Sequence, residues 1–163
     1  MSATELLVTY LNDHLGGANA GIEMARHLEE EVQGEPDGAV LAGLADEIEE
    51  DVQTLRGVVE LIGSTTNPVK QAAGWVAEKA HRVGVAEAVT GSPHLTRLLQ
   101  AETLSLGVEG KLCLWLALTE VVPAHPQLTA LDLPALAARA RDQRRRIETV
   151  RLAAARRAFT TVE

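Results

Sequence analysis

Apolar residues recur every three or four positions along four long segments of this chain, and the segments are joined by a short, a long and a short connection. This spacing lines up the apolar residues on one face of an α-helix. Leu and Ala, both strong helix formers, dominate the apolar 46% of the sequence, whereas aromatic residues make up only 2%. A chain of 163 residues fits one domain. We therefore expect a single all-α domain, residues 1–163, built as a four-helix bundle.

The first two helices are expected to form a hairpin. Ser2 and Glu5 have the spacing of a capping box, which predicts the start of helix one. Helix one ends near residues 29–31, and a turn over residues 34–38 follows. Helix two is predicted from residue 41 to residue 62, with Gly63 as its C-cap. Because the turn is short, the two helices should be antiparallel.

Two Pro-initiated helices and a final basic helix complete the chain. Asn67-Pro68 predicts a short crossover helix at about residues 68–82, and Ser92-Pro93 predicts helix three at about 93–122. A Pro-rich loop then leads to helix four at about 133–160. The connection between helices two and three is long, whereas the other two are short. One long crossover between two hairpins is the connectivity of ferritin-like bundles.

Two sequence segments carry a resemblance to a known superfamily. They are Tyr10-Leu-Asn-Asp13 in helix one and Ile48-Glu-Glu-Asp51…Leu55…Glu60-Leu-Ile-Gly63 in helix two. With the helix order, they resemble the ferritin-like superfamily, especially its small bacterial members associated with stress responses. The resemblance implies a di-iron or di-manganese centre. Such a centre is held by one Glu from each of two helices and a Glu-x-x-His pair from each of the other two.

The residues of that di-metal motif are not retained. Glu-x-x-His occurs once, as Glu78 and His81, and both side chains should point away from the apolar stripe of the crossover helix. Ala18 stands at the inward position of helix one where a carboxylate ligand is expected. Helix four has Arg145 and Arg151 in place of histidine, and arginine does not ligate metals. We therefore expect no catalytic residues, no cofactor and no di-metal centre.

A few polar residues nevertheless fall near the middle of the predicted bundle. We favour a hydrogen-bonded core network, with Lys111 or Arg145 supplying positive charge, because buried charges need partners. The alternative is a single Fe or Mn ion held by His14, Asp51 and Glu109, with the oxidase or peroxide-related activity that the resemblance implies. The polar residues predicted to form the network are His14, Asp51, Glu102, Glu109 and Gln143.

Helix three is apolar on two faces, and the sequence does not indicate which one points into the bundle. One face carries Glu102 and Glu109 among leucines, and the other carries Trp115. A helix that is apolar all round should be buried on both sides. We therefore expect one face to meet the bundle and the other to meet the crossover or a second subunit, and the first functional hypothesis takes the face with Trp115 as an interface. The candidate interface residues are Leu104, Val108, Trp115 and Leu118.

Glycines cluster at one level of helices one and three. Gly16, Gly17 and Gly21 lie at about the height of Gly107 and Gly110. Glycine inside a helix costs about 0.5–1 kcal/mol relative to alanine, so this cluster needs a structural reason. Close approach of the two helices is the interpretation we favour. The alternative is a pocket for a small ligand, left by the missing side chains.

The net charge of −8 is distributed unevenly along the chain. Residues 1–62 carry fourteen acids and two bases, whereas residues 131–163 carry eight arginines and four acids. The basic last helix is therefore expected to lie against the acidic first half. The overall acidity argues against nucleic-acid binding. Neither a membrane span nor a secretory signal is visible, and Cys113 is the single cysteine. We expect a cytoplasmic protein in which this thiol has a packing role.

Three functional hypotheses follow from these patterns. The first is a non-catalytic ferritin-like bundle that acts through its surface, as a homodimer or a partner-binding protein. The second is a degenerate metal-binding carboxylate protein. The third is a small-ligand binder that uses a cavity in the middle of the bundle.

Overall fold

The computed structural model describes residues 1–63 and 91–160, and in these ranges the protein is all helical, without strands. The predicted crossover helix at 68–82, with Glu78 and His81, lies outside the described residues. None of the described helices is long and apolar enough to cross a membrane. The four helices are α1 (Ala3–Glu31), α2 (Leu44–Ile62), α3 (Pro93–Val121) and α4 (Leu133–Thr160).

The predicted helix ends are observed at most positions. The backbone N–H of Ser2 donates to the Glu5 carboxylate at 2.6 Å, and Glu5 N–H donates to the Ser2 hydroxyl at 3.2 Å, which completes the capping box of α1. The Ser92 hydroxyl accepts from the backbone of Leu95 at the start of α3. Gly63 adopts a φ of 86° and ends α2. The short-range signals in the sequence therefore locate these helix ends correctly.

The start of helix two differs from the prediction. Residues Gly38–Leu41 form a separate 3₁₀ turn, and α2 begins only at Leu44. Gly43 lies between the two elements with a φ of 76°, a left-handed conformation that glycine tolerates and other residues rarely adopt. Leu41 is nonetheless fully buried, so it is a core residue, as the apolar periodicity of the sequence predicts.

Contacts between polar side chains define the directions of the helices. Arg26 pairs with Glu49 at 2.5 Å, while Asn19 accepts from Arg56, so α1 and α2 are antiparallel. In the second hairpin, Glu102 contacts Arg151. Lys111, later in α3, contacts Gln143, which comes before Arg151 in α4, so this pair is antiparallel as well.

The relative direction of α2 and α3 follows from the contacts that each of them makes with α1. Arg97, near the start of α3, pairs with Glu31 at the end of α1. Later in α3, Cys113 is near Tyr10 in the first half of α1, where burial and then this thiol raise the pKa of the Tyr10 hydroxyl. The helices α1 and α3 are therefore antiparallel, and α2 and α3 run in the same direction. This is the arrangement expected when two hairpins are joined by a long connection.

The packing of α3 settles which of its faces points inward. Trp115 and Leu118 are fully buried, and Leu104 and Val108 are nearly so, all within a single chain. They belong to one continuous apolar core with residues of the other helices. The prediction that these four residues form an interface is therefore wrong. They are core residues, because the face that carries Trp115 is the one turned toward the bundle.

The basic last helix lies against acidic segments, as the charge distribution predicts. Arg146 pairs with Glu47 at 2.6 Å, and Arg157 pairs with Glu35. Arg157 and Arg97 both pair with the Glu35 carboxylate. Burial acts to raise the pKa of this group, but the two arginines together hold it below the usual value. The acidic and basic segments of the sequence therefore form ion pairs with each other within the bundle.

The glycines of the first hairpin differ in how they should respond to alanine. A Cβ on Gly57 in α2 would meet no atom, so Gly57→Ala should raise the free energy of unfolding by about 0.5–1 kcal/mol through helix propensity. A Cβ on buried Gly38 would overlap the carbonyl oxygen of Val32, so Gly38→Ala should destabilise the protein. Urea unfolding followed by circular dichroism measures both. An equal effect of the two substitutions would contradict this packing.

Candidate functional site

The glycines at the waist of the bundle face open space. Among the described residues, a Cβ built on Gly21 of α1, or on Gly107 or Gly110 of α3, would meet no atom within 4 Å. None of these three glycines needs a positive φ. Close approach of the two helices is therefore not the reason for them, and the favoured interpretation of these glycines is wrong. The alternative, a space left by missing side chains, is what the structure contains.

This space is a cavity of about 320 Å³ between α1, α2 and α3 that opens to the surface, where Asp13, Leu106 and Gly107 of its lining are exposed. Most of its lining is apolar or lacks a side chain, and the polar groups are few. The lining residues from α1 are Asp13, His14, Gly17, Ala18, Ala20, Gly21 and Met24; those from α2 are Ile48, Asp51, Val52 and Leu55; and those from α3 are Thr103, Leu104, Leu106, Gly107, Val108, Gly110, Lys111, Leu114 and Trp115.

A buried carboxylate forms the polar end of the cavity. Asp51 is only 1% exposed, and each of its oxygens has a cationic partner. Lys111 Nζ donates to Oδ2 at 2.5 Å, and Arg139 donates to Oδ1. Lys111 also donates to Oε1 of Gln143 at 2.6 Å. One carboxylate of α2 is thereby bonded to both α3 and α4.

The network around Asp51 extends to balanced charges on α2 and α4. The amide nitrogen of fully buried Gln143 donates to Glu47 at 3.1 Å and to Asp51 at 3.3 Å. Glu47 in turn binds Arg146, and the second nitrogen of Arg139 binds Glu50 at 2.9 Å. Three carboxylates thus face three cations, counting Lys111. The polar end of the cavity carries no net charge.

Lys111 is more deeply buried than Arg139, the other cation on Asp51, with a side chain 14% exposed against 30%. Burial lowers its pKa below the usual value of lysine, and the neighbouring Asp51 carboxylate opposes that shift. The Lys111 Nζ donates to a carboxylate oxygen of Asp51 and to the amide oxygen of Gln143, so both of its partners are acceptors. These two hydrogen bonds hold the Lys111 side chain at the edge of the cavity that it lines.

Trp115 packs behind the cavity wall as a core residue. It lies one helical turn after Lys111 on the same face of α3, and it is 0% exposed. Its indole Nε1 is buried without a hydrogen-bond partner among the described residues. Buried donors of this kind are rare in folded proteins and need an explanation.

His14 lies on the α1 side of the cavity, partly buried. Its ring meets the edge of Tyr10 at a centroid distance of 4.7 Å. Burial lowers the pKa of His14 below the usual value of 6.5, while the neighbouring Asp13 opposes the shift. The imidazole is therefore neutral at pH 7 and adds no charge to the cavity.

The structure assembles only part of the predicted polar network. Asp51 and Gln143 are hydrogen-bonded at its centre, and His14 lines the same cavity without joining them. Glu102 and Glu109 lie elsewhere, with side chains 44% and 42% exposed, paired with arginines of α4. The prediction that these two glutamates belong to the core network is wrong, because the Trp115 face of α3 occupies the interior.

The predicted single-ion site does not form from these residues. Among residues 1–63 and 91–160, no group of three or more His, Cys, Asp and Glu side chains is arranged to hold a metal ion. The oxygens of Asp51 already face Lys111 and Arg139, which would repel a divalent cation. Glu109 pairs with Arg144 at 2.5 Å on the outer face of α3.

Two functional features of the site were not predicted from the sequence. Arg139, four residues before Gln143 on α4, is the second cation on Asp51. The unpaired indole of Trp115 is the other. Lys111 within an apolar face was a signal that a buried carboxylate should be found nearby. The cysteine prediction also needs correction, since Cys113 is exposed on the surface of α3 and does not pack in the core.

Comparison with the models of known protein families, with curated proteins and with solved structures finds no match to this chain.

The Asp51 network should dominate the stability of the waist. Asp51→Ala leaves Lys111 buried without its carboxylate and should lower the free energy of unfolding by about 3–5 kcal/mol. Glu50→Ala removes the other partner of Arg139, but the Glu50 side chain is 69% exposed, so about 0–1 kcal/mol is expected. Denaturant unfolding of the two variants tests the difference. Similar losses in both would contradict a buried, structurally essential Asp51.

His14 should make stability depend on pH. Its pKa is lower in the folded protein than in the unfolded chain, so the unfolded chain binds the proton more readily. This contribution to stability is complete above pH 6.5 and is lost as the pH falls below that value. His14→Gln should therefore flatten the loss of unfolding free energy between pH 7 and mildly acidic pH. An unchanged pH profile in the variant would contradict the assigned burial of the imidazole.

Proposed function

We propose that this protein is a non-catalytic helical bundle that binds one small, mostly apolar molecule in the cavity between α1, α2 and α3. The observation that carries the proposal is a concave space of about 320 Å³ lined by Gly21, Gly107 and Gly110, at each of which an added Cβ would meet no atom of the described residues. Because three helix-weakening glycines surround a single space, we infer that the space is maintained for a ligand.

The size and lining of the cavity support this function. Small-molecule sites are typically concave, about 300–1,000 Å³ in volume, and mostly apolar with a few placed polar groups. The cavity here, about 320 Å³, lies at the lower end of that range. Its polar groups are confined to the Asp51 network, Trp115, Thr103 and the α1 residues Asp13 and His14. Apolar surface provides the driving force for binding, and the few polar groups select the ligand.

The Asp51 network gives this cavity a rigid wall. Asp51 joins α2 to Lys111 of α3 and to Arg139 of α4, so the three helices are held at a defined separation. The buried side chain of Gln143 is hydrogen-bonded to both Lys111 and Asp51. A cavity whose walls are held open without ligand loses little conformational entropy on binding. This preorganisation favours a binding role for the site.

The other two hypotheses have weaker support. The surface hypothesis depended on an exposed apolar face with Trp115, and that face is core. The metal hypothesis depended on convergence of His14, Asp51 and Glu109, and Asp51 is instead bonded to cations. Within our proposal the ferritin-like relationship accounts for the architecture alone. The parallel order of α2 and α3 supports that relationship.

A matched pair of glycine substitutions tests the proposal. The neutral fluorophore N-phenyl-1-naphthylamine should bind the protein saturably, with increased emission. Gly110→Leu should abolish this binding because the leucine side chain would occupy the cavity. Gly57→Leu is the control, since Gly57 is exposed on α2 and does not line the cavity. Both variants exchange a helical glycine for leucine, so both should keep or increase thermal stability.

Two results would contradict the proposal. One is the absence of saturable fluorophore binding to the unmodified protein. The other is equal binding by Gly110→Leu and Gly57→Leu, since a surface site would not distinguish the two positions.

A further inference from the structure

We propose that the ligand of this cavity is an apolar primary or secondary amine in its ammonium form, with its apolar part inside and its ammonium group at the opening beside Asp13. This inference rests on the proposed binding function and names the chemical class of its ligand. It depends on the polar groups that a molecule in the cavity can reach from the open side.

Asp13 is the charged residue at the opening. It is exposed and it also lines the cavity, so it lies where the cavity meets solvent. Among the described residues, no cation pairs with its carboxylate. An ionised carboxylate only accepts hydrogen bonds, and its bonds to cationic donors are the stronger ones. A ligand ammonium group is therefore its complement.

The other charges of the described cavity wall are balanced. Asp51 faces Lys111 and Arg139 in a network of three carboxylates and three cations. His14 is neutral at pH 7, because burial lowers its pKa. Asp13 is then the unbalanced charge of this lining, and a ligand with one positive charge would neutralise it. A ligand carboxylate would instead be repelled by Asp13.

Two neighbouring groups offer further acceptors to the ligand. The Thr103 hydroxyl donates its one proton to the carbonyl oxygen of Leu99 at 2.8 Å, so only its lone pairs remain for a bound molecule. His14 also lines the cavity, and one nitrogen of a neutral imidazole accepts. An ammonium group with two or three N–H donors matches acceptors of this kind. This favours a primary or secondary amine over a quaternary ammonium, which has no N–H.

The cavity also limits the apolar part of the ligand. A cavity of about 150 Å³ holds one benzene molecule, and the cavity here is about 320 Å³, so about two rings fit. Leu55, Leu104 and Leu114 provide apolar surface in its lining. The charged end remains at the exposed opening, where it keeps part of its hydration and avoids the cost of full burial.

Three naphthalene derivatives of similar size test the inference. They are 2-naphthylmethylamine, a cation at pH 7; 2-naphthylmethanol, which is neutral; and 2-naphthoate, which is anionic. Each is measured by displacement of bound N-phenyl-1-naphthylamine at low ionic strength. The amine should bind about fivefold more tightly than the alcohol, as expected for one partly exposed ion pair, and the carboxylate should bind most weakly. Added salt should weaken binding of the amine and leave binding of the alcohol nearly unchanged.

The variant Asp13→Asn removes the charge at the opening and keeps the shape of the side chain. It should lower the affinity for the amine about fivefold and leave the affinity for the alcohol nearly unchanged. Asp46→Asn is the matched control, because Asp46 is an exposed residue of α2 that does not line the cavity. Both positions are exposed, so both variants should fold like the unmodified protein, which circular dichroism checks.

The outcomes separate this inference from the proposed function. Equal affinities for amine and alcohol, or the same affinity for the amine in Asp13→Asn and Asp46→Asn, would overturn the ammonium assignment while leaving cavity binding intact. Tighter binding of 2-naphthoate than of the amine would overturn it as well. If N-phenyl-1-naphthylamine itself does not bind, the proposed function fails, and this inference fails with it.

Discussion

The buried carboxylate of Asp51 is the interaction on which the middle of this bundle depends. It lies among apolar residues at 1% exposure, where an unpaired charge would be unstable, so it requires cations from neighbouring helices. Lys111 and Arg139 satisfy one oxygen each. Because these cations belong to α3 and α4, satisfying Asp51 brings the two helices into fixed positions against α2. The rotation of α3 about its axis follows from the same requirement.

That rotation has consequences for the whole waist. With Lys111 turned inward, Trp115 and Leu118 are core residues and the glutamates of the other α3 face lie outside. The glycines of α3 then face the gap toward α1. The polar network and the cavity are therefore two results of one helix orientation. The network holds the helices apart on one side of a space that the glycines leave open.

Much of the architecture was predictable from the sequence, whereas the site was predictable only in part. Ser2, Ser92 and Gly63 mark helix ends through local hydrogen bonds or backbone conformation, so they can be recognised without knowledge of the fold. Asp51 and Gln143 were found because they interrupt apolar stripes at matching heights. Glu102 and Glu109 were misplaced because α3 is apolar on both faces, so its periodicity favours two orientations equally.

Within residues 1–63 and 91–160, the sequence by itself determined which segments are helical, where most helices end, and that acidic and basic segments should meet. These properties depend on neighbours within a few residues or on charge totals. Only the tertiary structure decided which face of α3 is core and whether the waist glycines bring helices together or leave a cavity. Both depend on the rotation and spacing of whole helices. Those are set by contacts among three helices at once, such as the bonds of Asp51 to Lys111 and Arg139, and not by local periodicity.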